Sequence, residues 1–509
     1  MEIEWIRENM ETEQVVPLQA VQIAVETEAA LPGGLREEAR VLHADALAAV
    51  SGGEWAGGRA AVDGKVTFHV LYTQGDMDRV RSLEATADFS QSMTAEGALP
   101  AQAAVHPRAE VIGVSAKAFN GRVLLRAALQ LSGDAAGVRT VSCLKGVVDA
   151  PQVQQLSQTV SLENTVGEGQ GQTLLREEFE LSDVLQITET LYASAQARVE
   201  DILGGADGRA TVTGTVFLEA WHASDMPGRP LVNTRHTVPF EHVVALSGAL
   251  GDALAARSEV RDTAVLSQEN EDGSRVLRAE VQLFSEISAV AEKETTLLRD
   301  VFTLSGNGIA AAAEEVSVRS GTVTEQTEAP CRLVMQLDAG DPRVKTPLAG
   351  FALPVIGQAR ADHGELTVEG VMNLTLIYLA DGSAAPVSAS QETPFRAVFA
   401  TAGLPEDHLA LTAGEVELNA LTGDRVEFRC ALHLSAEGVR QTAARVLTGA
   451  ESVPEGESAK GICLYYPQAG EDVWEIAKRY RMPQDAILAL NPRLAEQKSE
   501  GAPVLVYRR

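Results

Sequence analysis

The chain has 509 residues, 45% of them hydrophobic but only 5% aromatic, and a formal net charge of −29. That length admits about three to five domains, with cores built from Val, Leu, Ala and Ile rather than from rings. The charge excludes nucleic acid and anionic membrane as main partners, because phosphate would be repelled.

Residues 1–13 read as a charged leader or a short helix. A strand follows through Val15–Val16 and Leu18–Val25, with a turn at Leu31–Gly34. Val41–Val50 is an apolar stretch, strand or short helix. Ser51-Gly52-Gly53 and Gly57-Gly58 are expected to break the chain before Val62-Asp63-Gly64, which opens a strand with Val66, Phe68, Val70 and Tyr72 on one face. Successive strand side chains point to opposite faces, so such alternation marks a half-buried strand. A turn near Gly75-Asp76 follows. Ala109–Ala116 then pairs with the strand from Arg122 to Leu131 across Asn120-Gly121, a strong hairpin signal. A second segment starts near Val153. Its Gly167, Gly169 and Gly171 suit a flexible surface loop better than a phosphate cradle, since no Lys-Ser/Thr helix follows. Val260–Leu266 and Val276–Leu283 form a hairpin with its tip at Asn270–Gly273. Ser305–Gly308 ends the segment, and Ile309–Val316 is a short helix or linker. A third segment reaches Leu447, with Val416–Leu421, a turn at Thr422–Asp424 and a strand from Arg425 to Leu434. Residues 448–460 have linker composition.

Two strands recur. Arg126, Arg278 and Arg429 precede the same alternating stretch at separations of 152 and 151 residues. Val62-Asp-Gly64, Val212-Thr-Gly214 and Val368-Glu-Gly370 open a second one, the glycines 150 and 156 apart. A period near 150 residues is domain-sized. The expected fold is therefore mainly β: three tandem β-rich domains, sandwich or barrel-like, at 14–150, 151–308 and 316–447, then the linker and a small βααβ domain at 461–509. The repeated arginines suggest cross-strand salt bridges or a shared interaction surface. The repeated glycines suggest a bulge or tight backbone approach. Trp221 falls on the polar face, where it either anchors a partner or packs under a loop.

The last segment differs in character. Residues 461–509 hold seven Lys/Arg against six Asp/Glu, a net of +1, which leaves −30 on the first 460. Leu464–Tyr466 reads as a strand. Val473, Ile476, Ala477 and Tyr480 recur at helical spacing behind Asp472, a suitable N-cap. Gln484–Leu490 is a second short helix ended by Asn491-Pro492, and Gly501–Val506 a closing strand. Gly470-Glu-Asp-Val-Trp-Glu-Ile-Ala-Lys-Arg-Tyr480, with Ile487-Leu-Ala-Leu-Asn-Pro492, resembles the LysM family. The resemblance implies a shallow groove formed by Gly470, Glu471, Asp472 and Val473 on one side and Asn491, Pro492, Arg493 and Leu494 on the other. In that family the groove commonly takes N-acetylglucosamine chains. It also implies that Trp474, Ile476, Ala477, Tyr480, Leu490 and Leu505 are core. An Asp-Thr pair common in the family is Glu471-Asp472 here, which places two carboxylates at the rim and suits a protein partner at least as well.

Acidic β-rich repeats followed by one such module resemble the SPOCS-domain proteins of spore coat assembly, a match carried by Val-x-Gly and the strand ending in Tyr72 or Tyr378. This resemblance implies a non-enzymatic scaffold on the forespore surface, in the mother-cell cytoplasm, with the module holding a SpoIVA-type coat ATPase. It leaves oligomerisation through the repeats open. The alternative is a cell-wall protein gripping peptidoglycan.

No chemistry competes with these readings. His222, His236 and His242 match no metal spacing, so no metal or other cofactor is expected. Cys430 and His433 point to opposite strand faces and form no dyad. Gly-x-Ser-x-Gly and His-Glu-x-x-His are absent. Glu37-Glu38 and Glu177-Glu178 read as solvated pairs. Cys143, Cys331, Cys430 and Cys463 are scattered, which suits a reducing compartment. Met1–Glu11 is acidic without the apolar core of a signal peptide, and no run has the length of a membrane span. A cytoplasmic protein with no membrane insertion is expected.

Overall fold

The computed structural model describes residues 3–32, 39–74, 79–97, 99–100, 102–270, 274–304, 306–401, 408–454, 461–468, 470–495 and 503–508. The turns expected at Gly33–Gly34 and Gly75–Asp76, the Glu37-Glu38 pair, most of the Asn270–Gly273 tip, Ser305, residues 455–460 of the expected linker and Gly501 lie outside the described residues.

Almost all of the described chain is antiparallel β-structure. The first segment contributes β1 (Trp5–Pro17), β2 (Val21–Ala30), β3 (Ala39–Ala56), β4 (Arg59–Gln74), β5 (Arg81–Thr94), β6 (Ala104–Phe119) and β7 (Arg122–Val147). The second contributes β8 (Val153–Leu181), β9 (Ile187–Gly204), β10 (Arg209–Ser224), β11 (Leu231–Ala245), the two-residue β12 (Ser247–Gly248), β13 (Ala253–Glu269) and β14 (Arg275–Thr303). The third contributes β15 (Gly308–Gln336), β16 (Val344–Asp362), β17 (Glu365–Ala380), β18 (Pro386–Ala400), β19 (Leu409–Ala413), β20 (Glu417–Thr422) and β21 (Arg425–Val453). β22 (Gly461–Tyr465), α1 (Val473–Tyr480), α2 (Gln484–Leu490) and β23 (Val504–Arg508) complete the chain.

Three meanders, β3-β4-β5, β9-β10-β11 and β16-β17-β18, each close a core against a sheet built on a long strand, β7, β14 or β21. The alternation seen in the sequence sets the inward faces. Val123, Leu125, Ala127, Leu129 and Leu131 of β7 are buried, as are Val426, Phe428, Leu432 and Leu434 of β21. The Asn120-Gly121 hairpin forms between β6 and β7, with both turn residues at positive φ (50° and 74°), as a two-residue type I′ turn requires.

Gly64, Gly214 and Gly370 share one environment. Each stands opposite a phenylalanine on the next strand: Phe89, Phe240 and Phe395. A Cβ on Gly214 would lie 2.1 Å from Arg198 O, and one on Gly370 2.0 Å from Val355 O. On Gly64 it would lie 2.3 Å from the Phe89 ring and 2.6 Å from Ala49 O. The ladder slips beside each glycine, so the bulge and the ring both need a residue without a side chain. The repeated arginines form strand-to-strand bridges twice, Arg126–Glu26 at 3.5 Å and Arg278–Glu178 at 2.6 Å. Arg429 instead faces Arg332, and the fully buried Glu427 of its own strand joins both.

In several places the chain departs from what its local pattern suggests. Residues 5–13 are strand, not a leader or helix, because β1 pairs along its whole length with the far end of β7. Gly52 and Gly53 lie within β3, absorbed by a register slip at Val50/Gly52; the turn is at Gly57-Gly58 alone. Gly167, Gly169 and Gly171 lie in β8, where they admit a crossing chain: added Cβ atoms would stand 2.3 Å from Ala249 O and 2.4 Å from Ala245 O at the first two. Ile309–Val316 is strand, paired with 444–452 of β21, so residues 448–453 are ladder rather than linker. Trp221 is buried, packed on Phe351 of the third segment.

The long strands continue past their sandwiches as three two-stranded ribbons: β1 with 134–147, 153–165 with 290–303, and 308–319 with 441–453. These share one interior. Met10, Leu162 and Val316 each face the fifteenth residue after Arg126, Arg278 or Arg429, namely Val141, Lys293 and Ala444. Glu13, Thr165 and Arg319 each face the twelfth, namely Val138, Val290 and Gln441. Those last three corresponding side chains meet. Thr165 Oγ1 donates to Glu13 Oε2 at 2.8 Å, Arg319 Nη1 donates to the same Glu13 oxygen and, at 2.9 Å, to Thr165 Oγ1, and Arg319 Nε reaches Glu163 Oε1 at 3.0 Å. Arg319 and Glu13 are both buried.

A second level of this centre is ionic. Asp134, Glu286 and Glu437 are each the eighth residue after the aligned arginine, and each pairs with a base from another segment. His408 Nε2 lies 2.7 Å from Asp134, His106 Nδ1 lies 3.0 Å from Glu286, and Arg108 bonds Glu437. The hydrogen bond to Glu286 holds His106 above the ordinary imidazole value of 6.5, against the effect of burial. Burial would raise Glu286, but His106, Arg257 and Arg108 outweigh it and hold the carboxyl below 4.5. A raised base stabilises fully below its unfolded pKa and loses that contribution as pH rises through the folded value; a depressed acid loses its own as pH falls. The pair therefore works best between 4.5 and 6.5. His106→Ala is expected to flatten the decline of Tm on the alkaline side of this window. Thermal unfolding across a pH series measures it, and an unchanged slope would remove the pair from the seam.

Candidate functional site: the C-terminal module and its seat

β22 and β23 pair antiparallel, and α1 and α2 cover one face of this ribbon. Val504 and Val506 alternate inward, and Ile476, Ala477 and Ile487 meet them from the helices. α1 begins in a capping box: Asp472 Oδ1 accepts the Glu475 N–H at 2.8 Å and Glu475 Oε2 accepts the Asp472 N–H at 3.2 Å, satisfying two otherwise orphaned donors. It ends at Arg481, which turns left-handed (φ 51°) two residues before Pro483. Of the expected core, Trp474, Ile476 and Ala477 are buried, and Tyr480 and Leu505 are half-buried. Leu490 is exposed, and Met482 and Ile487 fill the core instead.

The expected groove residues stand at the start of α1 and the end of α2. Gly470 is exposed at φ 86° and turns the chain into α1. Glu471 is not a rim carboxylate. It is buried, accepting from Tyr465 Oη at 2.6 Å and the Gln468 N–H at 3.0 Å, with Arg479 Nη2 at 2.9 Å. Burial alone would raise its pKa; those three donors outweigh burial and hold it below the usual carboxylate value. Asp472 is exposed, but its carboxylate caps α1. Val473 packs half-buried on the core. Opposite, Asn491 fastens α2 to β23: its Oδ1 accepts the Leu505 N–H at 2.7 Å and its Nδ2 donates to Leu505 O and Ile487 O, both at 2.8 Å. Pro492 and Arg493 enter a 3-10 turn that ends at Ala495, and Leu494 packs on the core.

The module is seated on the second ribbon. Trp474 meets Phe302 edge-on at 4.9 Å, with Leu156 and Leu304 beside it. Trp474 Nε1 donates to Asp300 Oδ2 at 2.8 Å, Lys478 Nζ lies 2.6 and 2.7 Å from the two Asp300 oxygens, and Arg481 donates to Gly306 O at 3.1 Å. Burial would raise Asp300, but Lys478 and Trp474 hold it below the usual range. A register slip at Leu298/Asp300 re-aims Asp300 toward α1; such a bulge has no signature in the local alternation. The outer face of the β22–β23 ribbon stays uncovered: Ile462 (74% exposed) opposite Tyr507 (42%), and Leu464 (61%) opposite Leu505, with Tyr466 following.

Two of the three histidines clustered in the sequence, His222 and His242, are buried. His222 hydrogen-bonds Thr190 and Thr234 at 3.0 and 2.8 Å, and burial, with His236 adding to it, lowers it to about 4. His242 meets Ser285 at 2.9 Å. Among the described residues no three His, Cys, Asp or Glu side chains converge as a metal site, and no helix is long and apolar enough to cross a membrane. No protein-family model, curated protein or solved structure matches the chain.

Proposed function

We propose that the protein is a non-enzymatic scaffold of spore coat assembly, working at the forespore surface in the mother cell. Its three β-segments are copies of one SPOCS-like unit, and its LysM-like module docks a coat protein of the SpoIVA ATPase type. The observation that carries this reading is the division of labour in the module. The side-chain polar groups of Glu471, Asp472 and Asn491 serve the module's own fold, whereas Ile462, Leu464 and Tyr466 stand exposed as an apolar strip. A glycan groove needs directed donors and acceptors; an apolar strip suits a protein surface.

The full chain is tested against a purified SpoIVA-type ATPase and against purified peptidoglycan. Capture of the ATPase, reduced at least about tenfold by Leu464→Asp, with no retention on peptidoglycan, is the expected result. Retention on peptidoglycan that persists in Leu464→Asp overturns the docking reading in favour of a wall binder.

A further inference from the structure

Antiparallel register places two cysteines from distant parts of the chain side by side. Cys331 of β15 and Cys430 of β21 are direct partners in the ladder. Directly opposed residues of an antiparallel pair have Cα atoms about 4.5–5.5 Å apart, inside the range of about 4.4–6.8 Å that a disulfide spans. Both are half-buried at the edge of the third core. Neither lies in the deep interior occupied by Cys143, nor stands out in solvent like Cys463. Spacing along the chain hides the pair, because 99 positions separate them.

We propose that Cys331 and Cys430 form a dithiol–disulfide redox site that takes a small disulfide such as oxidised glutathione as its oxidant. Cys331, as thiolate, attacks one sulfur of the small disulfide; the S–S bond breaks and one thiolate leaves. Cys430 then loses its proton and attacks the Cys331 sulfur of the mixed disulfide, expelling the second thiolate. Two protein thiols give up two electrons and two protons, and one small disulfide becomes two thiols. The roles follow from the environment. The Cys430 S–H hydrogen bond favours the Cys331 thiolate, which is lowered from the usual thiol value, while that same bond and then burial raise Cys430. A lowered thiol is the better attacking group near neutrality. The bond would staple β15 to β21 beside the Arg332–Glu427–Arg429 cluster.

The full chain is incubated with reduced or oxidised glutathione, then mapped by mass spectrometry after blocking free thiols. The expected result is loss of two hydrogens and a peptide joining Cys331 to Cys430, with Tm raised by about 5 °C. In Cys430→Ser, Cys331 should instead hold glutathione, because the second step is blocked. The proposal is overturned if both cysteines of the unaltered chain remain alkylatable after oxidation, if each carries its own glutathione, or if the only cross-link joins Cys463 residues of two copies.

Discussion

Replacing Arg319 with Met should destabilise the β-body by about 3–5 kcal/mol, the cost of leaving buried charges without their partner. Arg319 is the only cation bonded to Glu13 and Glu163 in the contacts described above, and it joins β15 to residues from both other segments. Its loss leaves Glu13 with the hydroxyl and N–H of Thr165 and Glu163 with the Thr322 hydroxyl, neutral donors that do not offset the two charges. The sharper form of the test is a comparison of signs. The triple variant Glu13→Gln, Glu163→Gln, Arg319→Met removes every charge of the cluster and should be more stable than Arg319→Met alone, because paired charges recover little more than their own desolvation. Chemical denaturation of the two variants measures this. A triple variant less stable than the single would mean that hydrogen-bond geometry, not uncompensated charge, governs the centre.

The second large effect is expected at the seat of the module. Trp474→Ala should cost the module about 3–5 kcal/mol, the range for deleting a buried aromatic side chain. It empties the contact with Phe302 and removes the bond to Asp300. Asp300→Asn should be milder, about 1–3 kcal/mol, because it keeps the shape and loses the charge that Lys478 meets. Amide exchange within 461–508 and cleavage after residue 454 report the seat directly. Both should rise in Trp474→Ala while β-body protection holds. Full protection of the module in that variant would mean that its fold does not use the seat.

Local rules made a good part of this structure legible. The place of Gly64, Gly214 and Gly370 before an alternating run suggests a bulge or a tight backbone approach, and each stands beside a ladder slip and meets a backbone carbonyl or a ring where a Cβ would stand. Asn120-Gly121 announced its hairpin. The C-terminal βααβ order followed from helical spacing, a capping aspartate and two prolines. The readings that failed share a cause. Alternation says that a strand has two faces, and composition says which is more polar, but neither says what covers the polar one. Trp221 and Glu427 sit on such faces and are buried, one by the Phe351 ring of another segment and the other between two arginines. The charged residues of β1 looked like a leader because their partner strand lies more than a hundred residues away. Glu471 looked like a rim carboxylate because sequence cannot show a side chain turned inward onto a tyrosine. The Asp300–Trp474 contact joins positions 174 residues apart and was invisible to any local pattern.

The ribbon ends bear on valency. Counting from the residue bulged out of each long strand (Lys145, Arg299 and Thr448), Asp300 and Phe302 correspond to Gly146 and Val148 at the end of the first ribbon and to Gly449 and Glu451 on the third. Of these three pairs of positions, only Asp300 and Phe302 combine a carboxylate for the indole and lysine with a ring to pack against Trp474. A frame assembled from three like ribbons thus presents one berth, not three, and fixes a single module per chain at a single bearing. The other two ends are relieved of that duty, and their side chains can diverge without loosening the module.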